Sequence, residues 1–352
     1  MKPLPRSRPL PQSRRAFLRR NLFSAGLLGL VGTVAASRRL ARAAGSPDVN
    51  PFAYDVGKFE TTDPKLIAYR ELARFPSPRP SPRRLALAAD GSLLVAADKA
   101  VVRVDRSGAV LGEIALESPV RCVAAAADGL IYVGLRDHLE VFDAKGQRKA
   151  SWPAPGPKSW LSGIAVNETE VFVADAGSRV VLRYDRAGKL AGRIGERNAD
   201  RNVPGFILPS PFLDVELHRD GLLRINNPGR HRVEAYTRDG EFELAWGKPT
   251  AGIDGFCGCC NPINLAVLPD GRLITCEKGL PRVKVYNLQG EFESVVAGPE
   301  SFKENARVGA GETTGDGVKA GLDAVADAQG RIYILDFVAA DIRVMAPKTG
   351  AV

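Results

Sequence analysis

Over most of this chain, apolar and polar residues alternate in short runs, and nearly every run stops at a glycine-bearing turn. Val101–Val104 ends at Asp105-Arg106-Ser107-Gly108, Leu139–Phe142 at Asp143-Ala144-Lys145-Gly146, and Val180–Tyr184 at Asp185-Arg186-Ala187-Gly188. Looser copies close Val233–Tyr236, Val283–Tyr286 and Ile342–Met345. A second turn series runs half a repeat ahead: Asp90-Gly91, Asp128-Gly129, Asn167-Glu168, Asp220-Gly221, Asp270-Gly271 and Gln329-Gly330. Alternation with period two puts one face of each segment inward, and polar glycine turns join such segments into hairpins. Two turn series flanked by strands make four strands per unit, and there are six units.

One four-stranded unit cannot bury both of its faces alone, so six in tandem must pack around a ring. The expected fold is therefore all-β: a six-bladed β-propeller of four-stranded antiparallel blades. The last unit ends at the chain terminus without room for its outermost strand. The alternating segment at about 66–75 precedes the first unit and is expected to complete the last blade, which removes an open edge. The repeat resembles the NHL family over about residues 65–350. That family's pattern is an inner strand, Asp-Gly, a strand ending in Asp or Asn, and a strand closed by a second glycine turn. The expected domain organisation is a leader at 1–43, an extended arm at 44–64 and the propeller at 65–350.

Charge changes the picture only after it is divided along the chain. The formal net charge is +9, from 49 basic and 40 acidic residues. Ten basic residues and no acid fall within 1–43, so removing them leaves 39 basic against 40 acidic. The domain that remains has no bulk charge to hold a polyanion, and nucleic acid is not an expected partner. The leader resembles a twin-arginine export signal, with Arg14 and Arg15 inside Ser13-Arg14-Arg15-Ala16-Phe17-Leu18-Arg19. An apolar stretch from Leu22 to Ala36 follows, and Ala41-Arg42-Ala43 offers a cleavage site. The resemblance implies export of the folded chain to the periplasm or another extracytoplasmic space. The apolar stretch is short for a bilayer core, so contact with a membrane would come only through an uncleaved leader.

Candidate chemistry gathers at one end of the ring. Extra length precedes the inner strands of blades four, five and six, at Arg197–Pro211, Lys248–Pro262 and Glu300–Ala320. Long loops sharing one face suggest a binding surface at the channel mouth. Four cysteines fall in or near the second of these loops: Cys257, Cys259, Cys260 and Cys276. At that density thiolates can bind copper, zinc or an iron–sulfur centre, serve as redox thiols, or pair as two disulfides. Their spacing matches neither ferredoxins nor zinc ribbons. Cys122, in blade two, reads as a buried small hydrophobe.

Aligning the units on their Asp-Gly turns gives a second constellation. The residue six before each turn is Arg84, Cys122, Leu161, Asp214, Asn264 and Asp323 in order. Asp214, Asn264 and Asp323 could hold a divalent cation in the channel, as in propeller hydrolases and lyases. Glu277, Lys278 and Arg282 put opposite charges beside the cysteine loop and could form a binding surface for an anionic ligand. No phosphate loop, nucleophile elbow or dinucleotide fingerprint is present. Three functions remain open at this stage. The first is an exported monomer that binds a protein partner or small ligand, or carries electrons through a cysteine-built centre. The others are a metal-dependent hydrolase or lyase, and an interaction scaffold with a disulfide-stapled loop.

Overall fold

In a computed structural model the described residues are 56–153, 155–308, 313–314 and 317–348. The expected leader and residues 44–55 of the expected arm lie outside them. Residues 56–66 carry two single-turn helices, Gly57–Phe59 and Pro64–Leu66.

Six four-stranded antiparallel sheets follow, five of them in sequence order from the channel outward. Blade one is Pro82–Leu87, Leu93–Ala97, Ala100–Val104 and Val110–Ala115. Blade two begins with Cys122–Ala125, blade three with Leu161–Val166, blade four with Val215–Leu217 and blade five with Asn264–Val267. Blade six has Leu322–Ala326, Ile332–Asp336 and Asp341–Pro347 from the C-terminal end, and its fourth strand is Tyr69–Pro76. That strand runs antiparallel to the terminal one, pairing Tyr69 with Pro347 and Pro76 with Asp341, so both ends of the ring are joined in a single sheet.

The burial pattern follows from this arrangement. Middle strands such as Leu93–Ala97 and Ile332–Asp336 are buried at every position, because a neighbouring blade covers each face. Outer strands such as Val110–Ala115 are exposed at all positions but one. Each adjacent pair of blades shares its own apolar cluster, including blades six and one through Tyr333, Leu335, Val95 and Val102. At about 1.5–3 kcal/mol per buried large aliphatic side chain, these clusters dominate the stability of the ring.

The recurrent turns are built as the sequence implies. Asp105 accepts hydrogen bonds from the backbone of Ser107 and Ala109, and Gly108 adopts φ +90°. A β-carbon at Gly108 would collide with the ring of Phe75 on the closing strand, so the turn glycine also lets blade six approach blade one. Asp175 and Asp336 likewise cap the loops after their strands through backbone N–H groups, the turn role that acids have at this repeat position.

Of the three long connections, the one before blade four is tied by a bridge between Asn198 and Val203. The one before blade five holds the cysteines. The one before blade six contains a short helix, Lys303–Arg307, whose Asn305 donates to the Gly321 carbonyl and to Asp336.

Candidate functional site

The aligned column of residues at the inner-strand starts converges on the channel, and a protein cation stands at its centre. Arg84, only 6% exposed, reaches across from blade one. Its Nη2 donates to Asp214 Oδ1 at 2.5 Å and its Nη1 to Asp214 Oδ2 at 3.0 Å. Nη1 also donates to Asn264 Oδ1 at 2.5 Å and lies 3.1 Å from Asp323 Oδ1. Two-point contact with a carboxylate is the geometry in which a guanidinium is strongest.

The same three residues sew neighbouring blades together. Leu265 N donates to Asp214 Oδ2 at 2.8 Å, and Leu85 N donates to Asp323 Oδ2 at 2.7 Å. Asn264 Nδ2 donates to the Leu322 carbonyl at 2.7 Å. Packing is tight enough that a β-carbon at Gly163 of blade three would strike the Asp214 carboxylate.

The oxygens that the sequence gathers for a divalent cation thus do meet, but on a guanidinium. Arg84 already fills the centre, and backbone N–H groups take up further lone pairs, so the trio does not fit a metal ion. Burial opposes the Arg84 charge, but Asp214 and Asp323 outweigh it and hold the guanidinium protonated. Burial pushes the Asp323 carboxyl up to about 6 against the pull of Arg84. Glu216, two residues beyond Asp214, is raised well above the ordinary carboxylate range by burial and by the neighbouring Asp214.

Beside this ion pair the mouth forms a depression of about 50 Å³, lined by Arg83, Arg84, Arg121, Trp160, Phe212, Asn264 and Phe337 among others. The lining holds three arginines and no carboxylate. The guanidinium of Arg121 lies 4.3 Å from the Trp160 ring centroid and that of Arg136 lies 5.2 Å from it. The Lys278 amine is 5.3 Å from the Phe212 ring. Cations stacked on aromatic faces keep their charge while their direction is fixed.

The cysteine loop is held by a buried ionic clamp. Glu277 is fully buried and Arg282 is 1% exposed, with Arg282 Nη2 2.7 Å from Glu277 Oε2. Lys284 Nζ is 2.9 Å from Glu277 Oε1 and donates to the carbonyls of Ile253 and Gly255. Arg282 donates to the Ala251 carbonyl at 3.0 Å. Burial lowers the Lys284 amine to about 8 even though Glu277 pulls it upward. This corrects the expectation of a charged surface at Glu277, Lys278 and Arg282. Lys278 is only 3% exposed, its amine over Phe212, and the Arg282 and Lys284 cations point into the loop because its turning backbone offers carbonyls with no strand partner.

Four of the five cysteines divide into three environments, and Cys257 is half-buried in the loop. Cys276 is buried in the cluster between blades five and six, and burial raises its thiol well above the ordinary range. Cys122 is fully buried and pushed up to about 12 by burial, and its sulfur packs where a β-carbon at Gly134 would be. Cys259 and Cys260 come together, with sulfurs 3.2 Å apart, Cys259 exposed and Cys260 buried. All five are free thiols. Among the described residues no group of three or more His, Cys, Asp or Glu side chains is arranged to hold a metal ion. Copper, zinc or iron–sulfur ligation by Cys257, Cys259, Cys260 and Cys276 together therefore does not fit, because Cys276 is committed to the blade core.

His218 is also more buried than its loop position suggests. Its Nε2 bonds the Gly271 carbonyl at 2.7 Å, tying the turn of blade four to that of blade five. Sequence reasoning missed the Trp160 and Phe212 stacks altogether. Their signal was available in the cation and aromatic residues just before the aligned column.

No protein-family model matches the chain, and no curated protein matches it. Solved structures do. A streptogramin B lyase shares 15% identity and a TM-score of 0.53, covering 80% of this chain and 98% of that one. Virginiamycin B lyase from Staphylococcus aureus gives 14% identity and a TM-score of 0.53, covering 80% of this chain and 100% of that one. A Bacteroides thetaiotaomicron protein of unknown function gives 15% identity and a TM-score of 0.56, with 80% and 72% covered. At these identities the likeness is one of fold: a six-bladed propeller, with lyases among its structural neighbours.

Proposed function

We propose that this protein is an exported NHL-type recognition propeller whose channel mouth binds a carboxylate presented by a protein or peptide partner. The observation that carries this reading is the mouth's composition: Arg83, Arg121 and two aromatic platforms with no acid in the lining, above channel carboxylates that Arg84 pairs. Size argues for part of a partner rather than a whole small ligand. Ligand pockets occupy about 300–1,000 Å³, whereas this depression is about 50 Å³. It suits one side chain or a chain terminus, with the surrounding loops meeting the rest of the partner. The twin-arginine resemblance around Arg14 and Arg15 supports export to an extracytoplasmic space, and the repeat pattern supports the NHL assignment.

The second reading, a lyase, rests on the fold of the neighbours. It lacks a general base at the mouth, since the lining carries neither histidine nor free carboxylate. One pair of assays separates the two. A hexaglutamate peptide should quench Trp160 fluorescence in a salt-sensitive way and a hexaglutamine peptide should not. Arg121→Gln should weaken binding by about tenfold, or about 1.4 kcal/mol. Salt-insensitive or absent binding by the acidic peptide removes the recognition reading, and turnover of virginiamycin B by the purified protein replaces it with the lyase.

A further inference from the structure

The loop before blade five brings two adjacent thiols together and holds them in place. Cys259 and Cys260 have sulfurs 3.2 Å apart; the first is exposed and the second is 2% exposed. The backbone on both sides is fixed. On one flank Asn261 Nδ2 donates to the Cys257 and Lys278 carbonyls, and Lys278 N donates back to Asn261 Oδ1. On the other, His231 Nε2 bonds the Gly258 carbonyl, and the Glu277 clamp secures residues 251–255. A pair held this way has paid little for being close, yet nothing in the blade core depends on it. The clamp and the asparagine bonds hold the loop without any sulfur.

We propose that Cys259 and Cys260 form a two-electron thiol–disulfide exchange site. Its oxidised form is a disulfide between the two neighbouring residues, and its co-reactant is an organic disulfide. The exposed Cys259, as thiolate, attacks one sulfur of the co-reactant, forming a mixed disulfide and expelling one thiolate. Cys260, deprotonated, then attacks Cys259 sulfur, closing the protein disulfide and expelling the second thiolate. Two protein thiols are oxidised, one organic disulfide is reduced to two thiols, and the two protons lost by the protein end on the products.

The covalent geometry explains why this is an exchange site and not a staple. Neighbouring α-carbons across a trans peptide are about 3.8 Å apart, below the ~4.4–6.8 Å that relaxed disulfides span. A bond closed over that distance is strained, and strained, exposed disulfides are the labile ones. It also closes almost no chain, so it constrains the unfolded state very little. The attacking Cys259 thiol is unactivated at rest. Burial and the hydrogen bond with Cys260 raise Cys259, while Lys278 pulls it down. Exchange therefore quickens with alkaline pH, and neutralising Lys278 slows it.

The test uses the reduced protein and oxidised glutathione, read by intact mass and peptide mapping. The wild type should lose two hydrogens with no adduct retained, and mapping should join Cys259 to Cys260. Cys260→Ser should stop at one glutathione on Cys259, because the resolving thiol is gone. Cys259→Ser should stay unmodified, Cys257→Ser should behave as wild type, and reduced glutathione should return the wild type to its dithiol form. A wild type that stays unmodified, that pairs either thiol with Cys257, or whose bond resists reduced glutathione overturns the proposal. The outcome is independent of whether the mouth binds acidic peptides.

Discussion

A single side chain decides what the channel can do. Arg84 brings one positive charge to a site where two carboxylates and an amide would otherwise face each other. Removing one partner of a buried ion pair usually costs about 3–5 kcal/mol, because the other is left charged without compensation. Arg84→Ala should therefore lower the unfolding free energy by about that amount at neutral pH, measured by urea denaturation. The loss should shrink in acid, where Asp323 protonates. Asp323 itself gives a sharper pH test. Its carboxyl is raised to about 6 in the fold from an ordinary value of 3.8, so the folded state binds its proton more tightly than the unfolded chain does. Stability from this group is complete below about 4 and lost as pH rises through 6. Two units correspond to about 3 kcal/mol. The stability difference between wild type and Asp323→Asn should change by up to that much between pH 4 and pH 7, and a flat difference would mean the carboxyl is not buried as described.

At the scale of the element, the loop before blade five shows what sequence alone could and could not reveal. Its length, its position before an inner strand and its cysteines were all legible. The role of Glu277, Arg282 and Lys284 was not, because charge beside a loop reads as solvated surface until the loop is known to fold over it. The deciding fact is three-dimensional: loop carbonyls at Ala251, Ile253 and Gly255 turn inward and need donors. The channel column shows the opposite failure. All six of its residues were correctly aligned, and Arg84 stood among them, but only the oxygens were counted as ligands. Charge balance across the column would have found the ion pair. If the clamp holds the loop, Glu277→Ala leaves two buried cations unpaired and should cost about 3–5 kcal/mol. Glu277→Gln, which keeps the shape and some hydrogen bonding, should cost less. Proteolysis at residues 248–262 should rise in the alanine variant before any blade unfolds, since loops open locally ahead of the core.

For the whole molecule, six blades hold together only because the ring is closed. Each blade is buried between two others, and the blade-six sheet is the one joint made from both ends of the chain. The alternation at 66–75 revealed this joint in the sequence, and the pairing of Tyr69–Pro76 with Asp341–Pro347 bears it out with a shift of a few residues. Without that strand, Asp341–Pro347 becomes an open edge whose unpaired backbone groups can recruit another chain. Phe75 would also leave the cluster between blades six and one, uncovering its paired neighbour Ile342. A chain beginning at Val56 keeps the strand and should melt as the longer protein does. A chain beginning at Ser77 lacks it and should melt at least 10 °C lower, on the scale of about 2–4 °C per kcal/mol for a domain of this size, and elute as aggregates in size-exclusion chromatography. If the Ser77 chain remained monomeric with an unchanged melting temperature, five complete blades and a three-stranded sixth would suffice. Closure by the N-terminal strand would then carry none of the stability assigned to it.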